Sequence, residues 1–386
     1  MSDERGTVGD LVAAFLEEAG VRLAFGVVSV HNIPILDAIH RRGRIRFVPA
    51  RGEAGATNMA DAAARISGGL GVVVTSTGTG AGNAAGALVE AVTAGTPLLH
   101  VTGQVDKPFL DRGFGYLHEA PAQLDMLRAV SKAAFRVANP DDALAVLHKA
   151  ATIALTAPQG PVSIEIPVDV QSAPVNLPAH CPPPAPALVA PDLKALDRLA
   201  ARMLKAKRPM LWLGGGAREA GDAVGPLAAM GVAVVTSAAG RGILPEDHAM
   251  SLGAFGAAPS VEQLYDTVDF LLVVGSHLRS NETRTYNLRL PSARGRIDVD
   301  PAAAARGYPC EIFVRGDARL ALEDLAARLV GRLHIDRAFW NDVRDVRRAV
   351  AMSAAKAGSI ARRRSSRCAR PSSASAASPA TNSAEG

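Results

Sequence analysis

The chain is poor in aromatic residues, at 4%, and in charge, with Asp, Glu, Lys and Arg making up 20% of 386 residues. With Ala and Gly dominant and a regular alternation of strand and helix patterns, that composition points to a soluble α/β enzyme class. Cysteine is scarce: Cys181, Cys310 and Cys368 are far apart, odd in number and in no CxxC spacing, which excludes a disulfide framework or a zinc knuckle as the organising principle. No apolar run reaches the ~18 residues of a membrane span, and MSDERGTVGD at the start lacks the charged and apolar regions of a secretory leader. The cytoplasm is the expected location. A net charge of +5 hints at nucleic acid, but five arginines against one glutamate between 361 and 386 carry most of it. The remainder is nearly neutral and offers no basic stripe for a phosphate backbone.

What is abundant is small and apolar. Hydrophobic residues make up 48% of the chain and 36 residues are glycine, a composition that supplies more than one core in a chain of this length. Short apolar runs at Leu23 to Val27, Ile45 to Val48, Gly71 to Thr75 and Leu98 to Thr102 each precede a helical pattern, which predicts an α/β fold with a parallel, doubly wound sheet. Thr7 is placed to cap a helix through Leu11, Phe15 and Leu16. A helix over Asp141 to Leu155 and a strand over Pro161 to Val170 complete the first domain, 1–172. Residues 173–191 are too proline-rich for a helix or sheet interior and read as an extended linker. A second α/β set occupies 192–333, with a helix over Leu193 to Ala206 and strands at Met210 to Leu213, Ala233 to Thr236, Phe270 to Val274 and Gly295 to Val299.

The stretch from Arg51 to Gln104 carries the chemistry. Glu53 opens an Ala-rich helix; the buried run GVVVTS follows, then the bare loop Gly78-Thr79-Gly80-Ala81-Gly82-Asn83, which lets a flat ligand approach the backbone, and a further helix and strand close a βαβ unit. The plainer alternative for Glu53 is a first-turn acid facing the helix dipole, worth under ~1 kcal/mol.

This stretch resembles the pyrimidine-binding domain of thiamine-diphosphate enzymes, in the branch of acetolactate synthase and benzoylformate decarboxylase. The resemblance implies that Glu53 hydrogen-bonds N1′ of the cofactor's aminopyrimidine and relays a proton there, which a buried carboxyl that keeps its proton can do. Phe25 to Ile39 lies where the family has an FG-x-PG segment holding the aminopyrimidine edge, with Val28 in place of proline and Ser29 in place of glycine. Ser76 to Asn83 follows the TSGPGATN pattern with Thr79 for proline, so Ser76, Thr79 and Asn83 join Val28, Ser29 and Glu53 as cofactor-binding candidates. Gly52 stands where a histidine is often found, and Leu117-His118-Glu119 where the family has FQE. His118 is the candidate substrate residue, an imidazole able to shuttle protons, or else an ordinary helix-start residue.

The second domain is similar to the family's central domain, which in acetolactate synthases holds FAD. Gly214 to Gly216, Arg241-Gly242 with Pro245 to His248, and Gly275 to Arg279 lie where those contacts are expected, although a triglycine turn is common in α/β folds. The family binds Mg²⁺ and the diphosphate through a third domain with a GDG motif and a downstream Asn, since magnesium takes oxygen ligands in a tight octahedron. No GDG occurs here; Gly316-Asp317-Ala318 comes nearest. After a helix pattern through Phe339, Val343 and Val350, the composition shifts near Ser359 to an Arg/Ser/Ala/Pro-rich tail within 334–386, expected to be disordered. A truncated or frameshifted reading of a longer gene is the expectation, with a native basic tail for acidic partners as the alternative.

The expected activity is therefore that of a thiamine-diphosphate-dependent 2-oxo-acid decarboxylase or carboligase, inactive as these two domains alone, with Mg²⁺ supplied elsewhere and FAD left open. Its expected partners are a small 2-oxo acid and further copies of itself in a homodimer or homotetramer, with no nucleic acid and no membrane. A non-catalytic dimerising module is the second reading. A Rossmann oxidoreductase using Gly78 to Gly82 is the third, disfavoured because Leu98 to Thr102 ends without an acid for a ribose.

Overall fold

Alternation of short β-branched runs with small-residue helices gives two parallel sheets. The computed structural model describes residues 4–183 and 185–368, which form two compact units divided after Leu188.

In the first unit the order is β1 (Glu4–Thr7), α1 (Val8–Glu18), β2 (Leu23–Gly26), α2 (Ile33–Arg42), β3 (Arg46–Pro49), α3 (Glu53–Ser67), β4 (Gly71–Thr75), α4 (Thr79–Ala94), β5 (Leu98–Gln104), α5 (Gln123–Val130), β6 (Ala133–Arg136), α6 (Ala143–Leu155), β7 (Pro161–Pro167), α7 (Val168–Gln171) and β8 (Pro174–Leu177). Thr7 caps α1 in a reciprocal box: its hydroxyl accepts from the Asp10 N–H at 3.2 Å, and the Asp10 carboxylate accepts from the Thr7 N–H at 2.9 Å. The main sheet has the order β3-β2-β4-β5-β7-β6, with every pairing parallel. The chain winds outward from β2 to β3 and then returns past β2 to β4. That reversal leaves a crevice at the carboxyl ends of β2 and β4. The loops after β2, β3 and β4 all end there.

Two expectations change. The strand foreseen to Val170 stops at Pro167, where the Gln171 side-chain amide donates to the Ile166 carbonyl at 2.8 Å and a short helical turn begins. The segment foreseen as linker from Ala173 begins with a strand, β8, paired antiparallel with β1, and Cys181 is buried in the first unit's core. Prolines at the edge of a two-stranded ribbon cost little, because one side needs no N–H donor.

The second unit contains α8 (Leu193–Leu204), β9 (Pro209–Leu213), α9 (Gly221–Ala229), β10 (Ala233–Thr236), α10 (Pro259–Tyr265), β11 (Phe270–Val274), β12 (Arg294–Asp298), β13 (Ile312–Arg315), α11 (Ala318–Leu329) and α12 (Arg337–Cys368). Its sheet is parallel, in the order β10-β9-β11-β12-β13. Phe339, Val343 and Val350 of α12 belong to this unit's core, which carries it past the expected boundary at 333. The helix extends as far as Cys368; the remainder of the expected disordered tail lies outside the described residues. No helix among the described residues is long and apolar enough to cross a membrane.

Candidate functional site

The crevice at the β2/β4 switch gathers the candidates. Glu53 is the first residue of α3 and is buried, at 8% exposure. Its Oε2 accepts from the Asn83 side-chain amide at 3.1 Å, across from the second turn of α4. A Cβ on Gly80 would stand 3.1 Å from Glu53 Oε1 and 2.8 Å from the Ser76 Cβ, so a side chain at 80 would crowd the carboxylate and push against Ser76. An open depression of about 570 Å³ adjoins it, lined by Pro49, Ala50, Arg51, Gly52, Glu53, Ala54, Gly55, Met59 and Asn83.

The β2 and β4 loops meet through two hydroxyls, Ser29 Oγ and Ser76 Oγ, 2.7 Å apart. Val28 is exposed on the same loop, and Thr79 is exposed at the first position of α4. His118 lies on the far side of the glycine turn. Its carbonyl oxygen fills the place a Cβ on Gly78 would take, 1.9 Å away, and Gly78 has φ +56°, so no other residue fits that turn without a backbone shift. His118 itself has φ +61°, and its exposed ring lies 5.8 Å from the ring of His31. The structure thus brings Glu53 to Asn83, Ser29 to Ser76, and His118 to Gly78.

Sequence reasoning passed over His31, Gln123, Arg136 and Glu165. His31 is buried behind the hydroxyl pair, with Nδ1 3.5 Å from both oxygens; burial, with His118 nearby, lowers its pKa. Gln123 is buried under the glycine turn, where its Oε1 accepts from the Gly78 N–H at 2.6 Å. Glu165 is wholly buried and paired with Arg136. An acid within the apolar strand PVSIEIP was the available signal for Glu165; none marks Gln123 or Arg136.

In the second unit the triglycine turn is explained by packing. A Cβ on Gly214 would lie 2.1 Å from the Gly275 carbonyl oxygen, and one on Gly216 would lie 3.0 Å from the Gly275 Cα. Arg241 is paired with Glu246 at 2.7 Å. His277 faces Arg306 at 3.0 Å, and burial, then Arg279, lowers its pKa. The Asp317 carboxylate, in the segment nearest to GDG, accepts from the Leu320 N–H at 3.1 Å as the cap of α11. Among the described residues no group of three or more His, Cys, Asp and Glu side chains could hold a metal ion.

Comparison with known proteins finds matches for both units. Residues 6–127 match the model of the thiamine pyrophosphate enzyme N-terminal TPP-binding domain, and residues 196–325 match that of the central domain. A probable 2-ketoarginine decarboxylase of Pseudomonas aeruginosa is 34% identical over 84% of this chain and 58% of its own length. The acetolactate synthase large subunit of Corynebacterium glutamicum is 29% identical over 88% of this chain and 55% of its own. In the X-ray structure of a Mycobacterium smegmatis protein assigned as thiamin diphosphate-dependent, the TM-score is 0.72 at 28% identity, over 86% of this chain and 63% of that one. The chain spans little more than half the length of the curated relatives it matches.

Proposed function

The chain belongs to the thiamine pyrophosphate enzymes, and from that premise we propose that it supplies the aminopyrimidine half of a 2-oxo-acid decarboxylase or carboligase site. The observation that carries the reading is the buried Glu53 carboxylate, oriented by Asn83 and kept in place by the missing side chain of Gly80. When bound, thiamine diphosphate supplies the electron sink that lets a 2-oxo acid lose CO₂. Glu53 would hold and return a proton at its carboxyl oxygens, facing a ring nitrogen of the aminopyrimidine. Asn83 fixes which oxygen is free for that bond. Ser29 and Ser76, with Val28 and the exposed Thr79, would border the ring, and His118 would face the substrate.

The decarboxylase side of the pair is favoured, because the relative at 34% identity is named a decarboxylase while the acetolactate synthase of C. glutamicum is at 29%, and because an imidazole, which can carry a proton, stands at 118. A homodimer or homotetramer would cover the apolar Ile66, Val89 and Val92 that α3 and α4 leave exposed. FAD is not carried into the proposal, since backbone packing accounts for the Gly214 to Gly216 turn. A Rossmann nucleotide site at Gly78 to Gly82 is disfavoured for a similar reason: the His118 carbonyl and Glu53 already occupy the space beside Gly78 and Gly80.

The diphosphate and its Mg²⁺ need oxygen ligands at fixed spacing, and we assign them to a domain other than these two. The chain by itself is then expected to give a flat calorimetric titration with thiamine diphosphate and Mg²⁺, and no turnover of pyruvate. Micromolar binding with turnover would contradict the assignment.

A further inference from the structure

A second buried polar chain runs under the glycine turn, apart from the groups assigned to the cofactor. It starts at the surface with Asp111, whose carboxylate accepts from Arg136 at 2.6 Å. The same guanidinium pairs with Glu165, which is wholly buried. Glu165 Oε2 accepts from Gln123 Nε2 at 2.9 Å and from Gln104 Nε2 at 3.3 Å. Gln123 Oε1 in turn accepts from the Gly78 N–H at 2.6 Å and from the Thr77 hydroxyl at 2.9 Å.

This chain has a direction. An amide side chain has a donor end and an acceptor end, and the buried carboxylate claims the donor end of Gln123. Its carbonyl is thereby left to face Gly78. A carboxylate at that depth is tolerable because Arg136 pairs with it. The Gly78 carbonyl, on the other side of the same residue, accepts from the Gly82 N–H at 2.8 Å in the first turn of α4, and the next residue is Asn83.

We propose that Gln123 is a positioning residue: oriented by the Arg136–Glu165 pair, it fixes the Gly78 peptide and, through the first turn of α4, sets the Asn83 amide on Glu53. Its value to catalysis rests on the reading of Glu53 given above; its effect on Asn83 does not.

The test uses the full chain labelled with ¹⁵N-asparagine, the Asn83 side-chain signal being identified by its loss in Asn83→Ala. In wild type, one Asn83 amide proton is expected to be shifted by its carboxylate bond and slow to exchange with water. Gln123→Met keeps the volume and removes the bonds to Gly78, Thr77 and Glu165. The shifted signal should then be lost and its exchange should quicken on the order of tenfold, the size expected for one net hydrogen bond. In the swap Gln123→Glu with Glu165→Gln, the carboxylate at 123 accepts from Gly78 while the amide at 165 donates to it, and the Asn83 signal should return. Should Gln123→Met fail to fold, the swap decides alone: a folded swap with the bonded signal supports the proposal, and a folded swap without it overturns it. An unchanged Asn83 signal in Gln123→Met also overturns it, as does a loss in every variant that merely tracks unfolding temperature. Were Glu53→Gln to leave the cofactor's C2 exchange untouched, the role of Glu53 would fall while the effect of Gln123 on Asn83 stood.

Discussion

Two hydrogen atoms in place of methyl groups decide whether this site can exist. At Gly78 the left-handed φ and the His118 carbonyl exclude a side chain; at Gly80 the excluded volume belongs to Glu53 and Ser76. Gly80→Ala should therefore lower stability by about 1–3 kcal/mol, the usual range for overpacking, read from the urea midpoint. Gly82→Ala is the control: nothing lies within 4 Å of its added Cβ, so helix propensity dominates and the variant should be neutral or more stable by up to ~1 kcal/mol. Equal losses in both would remove the steric account. The legible part of the site follows from the same distances. Glu53, Ser76 and Asn83 lie on α3, directly after β4 and on α4, within 30 residues of one another, where local spacing constrains what meets. Gln123 reaches Gly78 from 45 residues away and Arg136 reaches Glu165 from 29; such pairings depend on strand order, which no local pattern encodes.

Between neighbouring strands the sheet hides a polar ladder. On β5, His100 is fully buried, with Nε2 2.9 Å from the Thr75 hydroxyl on β4 and Nδ1 3.0 Å from the Ser163 hydroxyl on β7. Burial pushes its pKa from 6.5 down to about 3. Between those values the unfolded chain binds a proton that the folded one refuses, so stability rises with pH across that window and falls as acid is added. The urea midpoint of the first unit should accordingly decline from about pH 6.5 toward pH 3. His100→Gln, which keeps polar contacts without titrating, should flatten that decline. A slope unchanged in the variant would assign the acid sensitivity to other groups. Strand ends were legible at Leu213 and Val274, where apolar runs meet a tight glycine turn, but not at β5, which runs through Gly103 to Gln104, nor at β7, which stops at Pro167. The proline-rich stretch hid β8 because a two-stranded edge pairing leaves no periodic apolar signature.

Taken whole, the described residues form two parallel-sheet units, and on our proposal the first of them supplies one half of a cofactor site. Two parallel sheets place their loops at carboxyl-end crevices. In the first unit that crevice holds a buried carboxylate, while the second unit's glycines serve backbone packing. The fold class was legible because alternating strand and helix patterns leave few topologies open to a parallel sheet. The central claim is that Glu53 handles the cofactor's proton. Its most direct test is hydrogen–deuterium exchange at C2 of thiamine diphosphate, followed by NMR, in this chain joined to a diphosphate- and Mg²⁺-binding domain. Glu53→Gln should slow exchange by about 10² or more, the range for losing a positioned acid–base group. Glu90→Gln, whose exposed carboxylate lies 3.8 Å from Arg65 on the outer face of the helices, should leave the rate unchanged. Equal rates in wild type and Glu53→Gln would contradict the account and return Glu53 to an acid at the start of a helix.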